Sequence, residues 1–178
     1  AASPYQRVRK ADGLAVVIKP EDLRIKMREY RAPFSIVLVV DMSLSMANSM
    51  INLGRAVFSL HRSVYRRRDR VALVVFKGSE AVVLQQPTTN LDLMVRKLMK
   101  VGTSDFTPMA AGMLKAWRIL RLEKQRNKDI VPMLILVSDG IVNVPLDRPL
   151  STWGRRTYLS KAQADVEDVA FLLRRDGI

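Results

Sequence analysis

The chain has 178 residues, 48% hydrophobic and only 6% aromatic, which suits one domain with an aliphatic and methionine core and leaves little room for two. It has no cysteine, so a disulfide framework and a thiolate metal site are both excluded. A formal charge of +13, with no apolar run of membrane-spanning length, favours acidic partners over a bilayer span. The opening AASPYQRVRK lacks the apolar core of a secretory leader, so a cytoplasmic location is expected.

In chain order, residues 1–33 are charged and contain LAVVI (14–18) and the alternating LRIKM (23–27). They are expected to form an extension or lead-in with one or two strands, a hairpin against a sheet edge, ahead of a domain over 34–178. Phe34–Val40 is a nearly continuous aliphatic run, the pattern of a parallel strand covered on both faces. Residues 47–67 space Met50, Ile51, Leu53, Val57, Phe58, Leu60, Val64 and Tyr65 mostly at helical intervals. Strands are predicted at Val71–Phe76 and Ala81–Gln85, joined across KGSE as a hairpin. A short helix is predicted over Leu91–Lys100 with Asn90 as cap, then a longer one with Pro108 in its first turn, ending near Arg126. Val131–Ser138 repeats the buried-strand pattern, and a last helix is predicted from about Ser160 to Arg175.

Strands alternating with helices predict an α/β architecture: a mostly parallel sheet, one antiparallel edge strand, and helices on both faces. The closing FLLRRDGI ends a helix in Asp-Gly before an apolar residue, a pattern that usually leads into another strand, so a C-terminally incomplete fold is expected. Ligand sites in such sheets lie beyond the carboxyl ends of the strands.

DMSLSM (41–46) lies at one such end. Alternation puts Asp41, Ser43 and Ser45 on one side, which suits a hard cation and equally suits a helix start. GTSDFTPMAAGM (102–113) places Thr107 just before a helix, where it is either a ligand or a cap. LILVSDGIVNVP (134–145) places Asp139 at a second strand end, as a ligand or as part of a turn.

Together these stretches form D-x-S-x-S, then T-P, then D-G, and this resembles the von Willebrand factor A (VWA) domain with its metal-ion-dependent adhesion site. Within that family the pattern is most similar to the D subunit of magnesium and cobalt chelatases. The likeness extends to YRRRDRVALVVFKG (65–78), FTPMAAGM (106–113), SDGIVNVP (138–145) and the lead-in IKPEDLRIKMREYRAP (18–33). It implies a Rossmann-like VWA fold and a Mg²⁺ or Mn²⁺ site. Ser43, Ser45 and Thr107 would bind the ion directly, Asp41 and Asp139 largely through water. One position would stay open for a partner's Asp or Glu.

The resemblance implies two partners, an AAA+ ATPase subunit or domain and a catalytic chelatase subunit that inserts a metal into a tetrapyrrole. A different AAA+ ATPase is the nearby alternative. Two departures stand out: Leu44 occupies the family's Gly position, and Asp105-Phe106 replace its Gly pair, Asp105 being a further solvated acid near the ion or a rival ligand.

The residues themselves favour recognition over catalysis. The single histidine, His61, falls on the apolar face of its predicted helix, and neither a nucleophile elbow nor a phosphate-binding GxxxxGK[ST] loop is present. Two aspartates are too few for a two-metal hydrolase. Arg66, Arg67, Arg68 and Arg70, with Lys115, Arg118, Arg121 and Lys128 on one drifting helical face, are either a solvated surface or a docking surface for an acidic protein. The same charge keeps nucleic acid as a rival partner.

Overall fold

An aliphatic run can satisfy its backbone in apolar surroundings by lying between two other strands, and the first strand does so. The computed structural model describes residues 32–49, 52, 54–55, 69–78, 80–103, 106–147 and 155–178. β1 (Phe34–Asp41) pairs in parallel with β2 (Arg70–Lys77) on one side and β4 (Val131–Val137) on the other. β3 (Glu80–Thr88) closes the order β3-β2-β1-β4 as an antiparallel edge. The β2–β3 hairpin turns at Gly78, whose φ of 60° lies in the left-handed region.

Helices cover both faces. α1 (Leu91–Leu98) packs Leu91, Met94 and Leu98 on Ile36, Leu38 and Val40 of β1 and Val71, Leu73 and Val75 of β2. Its cap is Asn90, whose side chain accepts from the Leu93 N–H. α2 (Met109–Arg126) and α3 (Arg155–Arg175) cover the other face, built on Val37, Val39, Ala72, Val74 and Phe76. Gly112 lets α2 lie close: a Cβ there would come within 2.7 Å of Phe76 and 3.0 Å of Val39.

Several expectations change in detail. β3 runs three residues beyond the predicted Gln85, through Pro87, because an edge strand tolerates proline and polar side chains. The Arg70 guanidinium helps hold that extension by donating to the Pro87 carbonyl at 2.8 Å. α1 ends at Leu98, with Met99 as its C-cap. Pro108 is the N-cap of α2 rather than part of its first turn, and α3 begins five residues before the predicted Ser160.

β4 was expected to be buried like β1, and it is not. It is the outer strand of the four, and Val131, Met133 and Leu136 are exposed. Only Leu134 and Ile135 of its apolar side chains join the two cores.

The basic clusters also need correction. Arg70 is not free for docking, since it pairs at 2.9 Å with buried Glu123, which Arg126 also holds at 3.2 Å. Lys128 falls beyond the end of α2, and Arg121 stacks 5.1 Å from the Trp117 ring centroid. The expectations for residues 1–31, the body of the 47–67 helix, His61, Arg66–Arg68 and Asp105 lie outside the described residues. No helix among the described residues is long and apolar enough to cross a membrane.

Candidate metal centre

The parallel register of β1 and β4 pairs Val40 with Val137, so the residues that follow, Asp41 and Ser138, come level at the carboxyl end of the sheet. The Ser138 hydroxyl donates to Asp41 Oδ2 at 2.8 Å, and the Ser43 N–H donates to Asp41 Oδ1 at 2.8 Å. Both oxygens of a fully buried carboxylate are thus engaged, each by a neutral donor.

From there the chain of contacts runs outward. Ser43 Oγ lies 2.9 Å from Ser45 Oγ, and the Ser45 hydroxyl donates to Asp139 Oδ2 at 2.5 Å. Four of the five expected ligands therefore sit in one hydrogen-bonded run. Asp41 and Ser43 form its buried floor, and Ser45 and Asp139 its exposed rim.

Thr107 approaches from a third loop. It is buried, and its N–H donates at 2.6 Å to the side chain of Asn143, four residues after Asp139. Capping does not account for Thr107, Ser43 or Ser45, whereas Asp139 also closes a turn by accepting the Ile141 N–H at 3.0 Å. The α2 cap is Pro108, with no side-chain cap hydrogen bond, and the Ser43 and Ser45 hydroxyls face each other and Asp139. Ser138 and Asn143 were missed as site residues, although both stand in SDGIVNVP. Ser138 had a signal in the sequence, an uncharged polar side chain adjoining the expected ligand Asp139, whereas Asn143 had none.

The Ser45 hydroxyl, then the N–H groups of Ile141 and Asp139 itself, holds the Asp139 carboxyl below its usual value of 3.8, with burial opposing. Asp139 is therefore ionised at neutral pH. No lysine or arginine among the described residues pairs with Asp41 or Asp139. A buried carboxylate without a counter-ion is costly, and a small cation between the two acids would offset it. Among the described residues no three His, Cys, Asp or Glu side chains cluster to hold a metal, so a cation here would rely on hydroxyl oxygens. Carboxylate, hydroxyl and water oxygens suit Mg²⁺ or Mn²⁺.

Beside the rim the surface turns apolar. Leu44 is 57% exposed, Phe106 56% and Ile141 59%, each within two residues of an expected ligand. A groove of about 390 Å³ lies elsewhere, along Arg121, Lys124 and Lys128. A larger one, about 750 Å³, opens between the loop after Asp139 and α3.

Residues 36–141 match the von Willebrand factor type A domain, and residues 1–28 match the AAPxQ domain. The magnesium-chelatase 67 kDa subunit of Chlorobaculum parvum is 32% identical over 187 residues, covering 100% of this chain and 30% of that protein. The magnesium-chelatase 60 kDa subunit of Rhodobacter capsulatus is 30% identical over 153 residues, covering 83% and 27%. The chain thus spans about 30% of the length of these relatives. Among solved structures, the vWF domain of the type V pili tip protein Mfa5 from Porphyromonas gingivalis superposes with a TM-score of 0.54. It is 21% identical, covers 67% of this chain and 43% of that one, and speaks for the fold alone. On the sequence match and the mostly parallel sheet that carries it, this chain belongs to the von Willebrand factor type A domain family.

Proposed function

We propose that this chain is a metal-dependent protein-interaction module of a chelatase-like AAA+ assembly, with residues 34–178 as the VWA domain and 1–33 as its lead-in. The observation that carries the reading is the hydrogen-bonded run from buried Asp41 through Ser43 and Ser45 to Asp139, with Thr107 held beside it. Similarity to magnesium-chelatase 60 and 67 kDa subunits supports the choice of assembly.

Ser43, Ser45 and Thr107 would offer hydroxyl oxygens to a Mg²⁺ or Mn²⁺ ion, and Asp41 and Asp139 would balance its charge. The ion would supply an electrophilic position for a partner's Asp or Glu carboxylate. Asp41 is fixed by its two donors, so the floor is preorganised, whereas Ser45 and Asp139 at the rim meet water and partner. In this reading the site orients and holds a partner, and its acids and hydroxyls serve the ion. Its partners would be an AAA+ ATPase subunit or domain and a catalytic chelatase subunit, or another AAA+ ATPase, in the cytoplasm.

Mn²⁺ titration followed by water-proton relaxation tests the site. Wild type should bind weakly, and Asp41→Ala and Asp139→Ala should each lose binding. Unchanged binding in both variants would sink the assignment.

The net charge of +13 supports a second reading, a nucleic-acid-binding VWA domain. A salt series with non-specific RNA separates the two, because phosphate contacts give steeply salt-dependent binding.

A further inference from the structure

The larger groove is not an isolated feature. Its wall includes Gly140, Ile141 and Val142, which directly follow Asp139, and Leu159, Gln163 and Val166 on α3. Gly140 has a φ of 85°, and nothing lies within 4 Å of where its Cβ would be, so the backbone there is open to an approaching chain. Ile141 donates its N–H to Asp139 Oδ1 at 3.0 Å while its side chain is among the most exposed apolar groups of the described residues. One residue thus belongs to both the acid rim and the groove wall. Leu159 across the groove is exposed as well.

We infer that the metal centre and this groove form one composite docking surface for an extended protein segment carrying an Asp or Glu beside aliphatic residues. The inference rests on the proposed metal site: the carboxylate meets the cation, and the neighbouring aliphatic side chains lie between the 140–142 backbone and α3. The chemistry of the occupant follows from charge and polarity. Two site aspartates are offset by a dication, the whole chain carries +13, and an anionic contact is therefore favoured over a cationic one. The groove wall beyond the rim offers Ile141, Val142, Leu159 and Val166, with Gln163 and Ser160 able to meet the backbone polar groups of an extended segment; Glu167, the one charged side chain among the described lining residues, keeps the segment's acid at the cation and out of the groove. An acid alone would leave that wall in water, and an apolar peptide alone would leave the cation's position to solvent.

The test uses the full 178-residue chain and a displayed library of random dodecapeptides, selected in Mg²⁺ and, separately, in EDTA. Enriched peptides should share an Asp or Glu next to aliphatic residues and should vanish in EDTA. Against such peptides Ile141→Ser and Leu159→Ser should each weaken binding about ten-fold, the scale of one lost aliphatic contact. Both positions are exposed, so an unchanged melting temperature in each variant shows that the loss is local. Asp139→Ala should abolish binding altogether.

If the enriched peptides share an acid with no aliphatic preference, and the groove variants bind as wild type, the composite surface is overturned while the metal site stands. If apolar peptides bind the groove equally in EDTA and without an acid, the link to the cation is overturned. If nothing is enriched, or nothing enriched depends on Mg²⁺, the metal-dependent reading itself fails.

Discussion

β1 and β4 have almost the same text and different surroundings. Both are runs of aliphatics, both are parallel, and each delivers one site aspartate at its carboxyl end. Yet β1 is buried along nearly its whole length, and β4 presents exposed side chains at three of its seven positions. An aliphatic run reports that a strand is worth covering; it does not report how many neighbours cover it. The difference carries through to the chemistry, since Asp41 ends up fully buried and Asp139 exposed. The two acids of the proposed site therefore stand differently, one buried at its floor and the other open to solvent.

The largest expected effect is on the strands themselves. Leu38 on β1 is 3% exposed and Leu136 on β4 37%. Leu38→Ala should cost about 2–5 kcal/mol in urea unfolding, the range for emptying a buried leucine site. Leu136→Ala should cost less than about 1 kcal/mol. Equal losses would mean that β4 is covered as completely as β1, and the contrast would be gone.

A smaller effect on stability, with a large one on the site, is expected at Asp41. In Asp41→Asn the amide oxygen keeps the Ser43 N–H and the amide nitrogen can donate to the Ser138 hydroxyl, which has two lone pairs. Stability should change by less than about 1 kcal/mol, while Mn²⁺ affinity falls sharply as one of the two charges is lost. A large stability loss with metal affinity retained would make Asp41 a structural acid only.

The smallest effect belongs to Asp139. Its carboxyl is held below the usual 3.8, chiefly by the Ser45 hydroxyl. A depressed carboxyl stabilises the fold above its unfolded value, and that contribution disappears as the pH falls through the folded value. In metal-free buffer with EDTA, the stability gap between wild type and Asp139→Asn should be constant near neutrality and should close below about pH 4. A gap that widened on acidification would reverse the sign and refute the assigned hydrogen bonding.

Much of this architecture was legible because its strongest signals are local. The aliphatic run of β1, Asn90 before Leu91 and Pro108 at the start of α2 each announce an element without help from the rest of the chain. The tail of β3 was hidden because Gln86, Pro87 and Thr88 carry no apolar alternation, and only the hairpin register and the Arg70 contact make them strand. The early turns of α3 contain Arg155, Arg156 and Thr157, which give no apolar period to follow. At the site, Asp41, Ser43, Ser45, Thr107 and Asp139 were readable as residue types at strand and helix ends. Ser138 and Asn143 were not, because their roles depend on which loop lies opposite. Leu44 and Phe106, the two departures from the family pattern that the structure describes, are both more than half exposed.

The loop from Asp139 to Leu146 is fastened at more than one point. Asn143 accepts the Thr107 N–H, and Leu146 donates its N–H at 2.7 Å to Asp165 of α3, whose other oxygen is gripped by Lys161 at 2.8 Å. In mechanical terms the loop is a short strap from the middle of α3 to the first residues before α2. A pull or twist applied to α3 reaches Thr107 through the backbone between Leu146 and Asn143 and two hydrogen bonds. Asp41 meets the foot of that loop through Ser138, but its backbone is paired into the sheet opposite Phe76. Strain on the strap would therefore fall first on the spacing between Thr107 and Asp41.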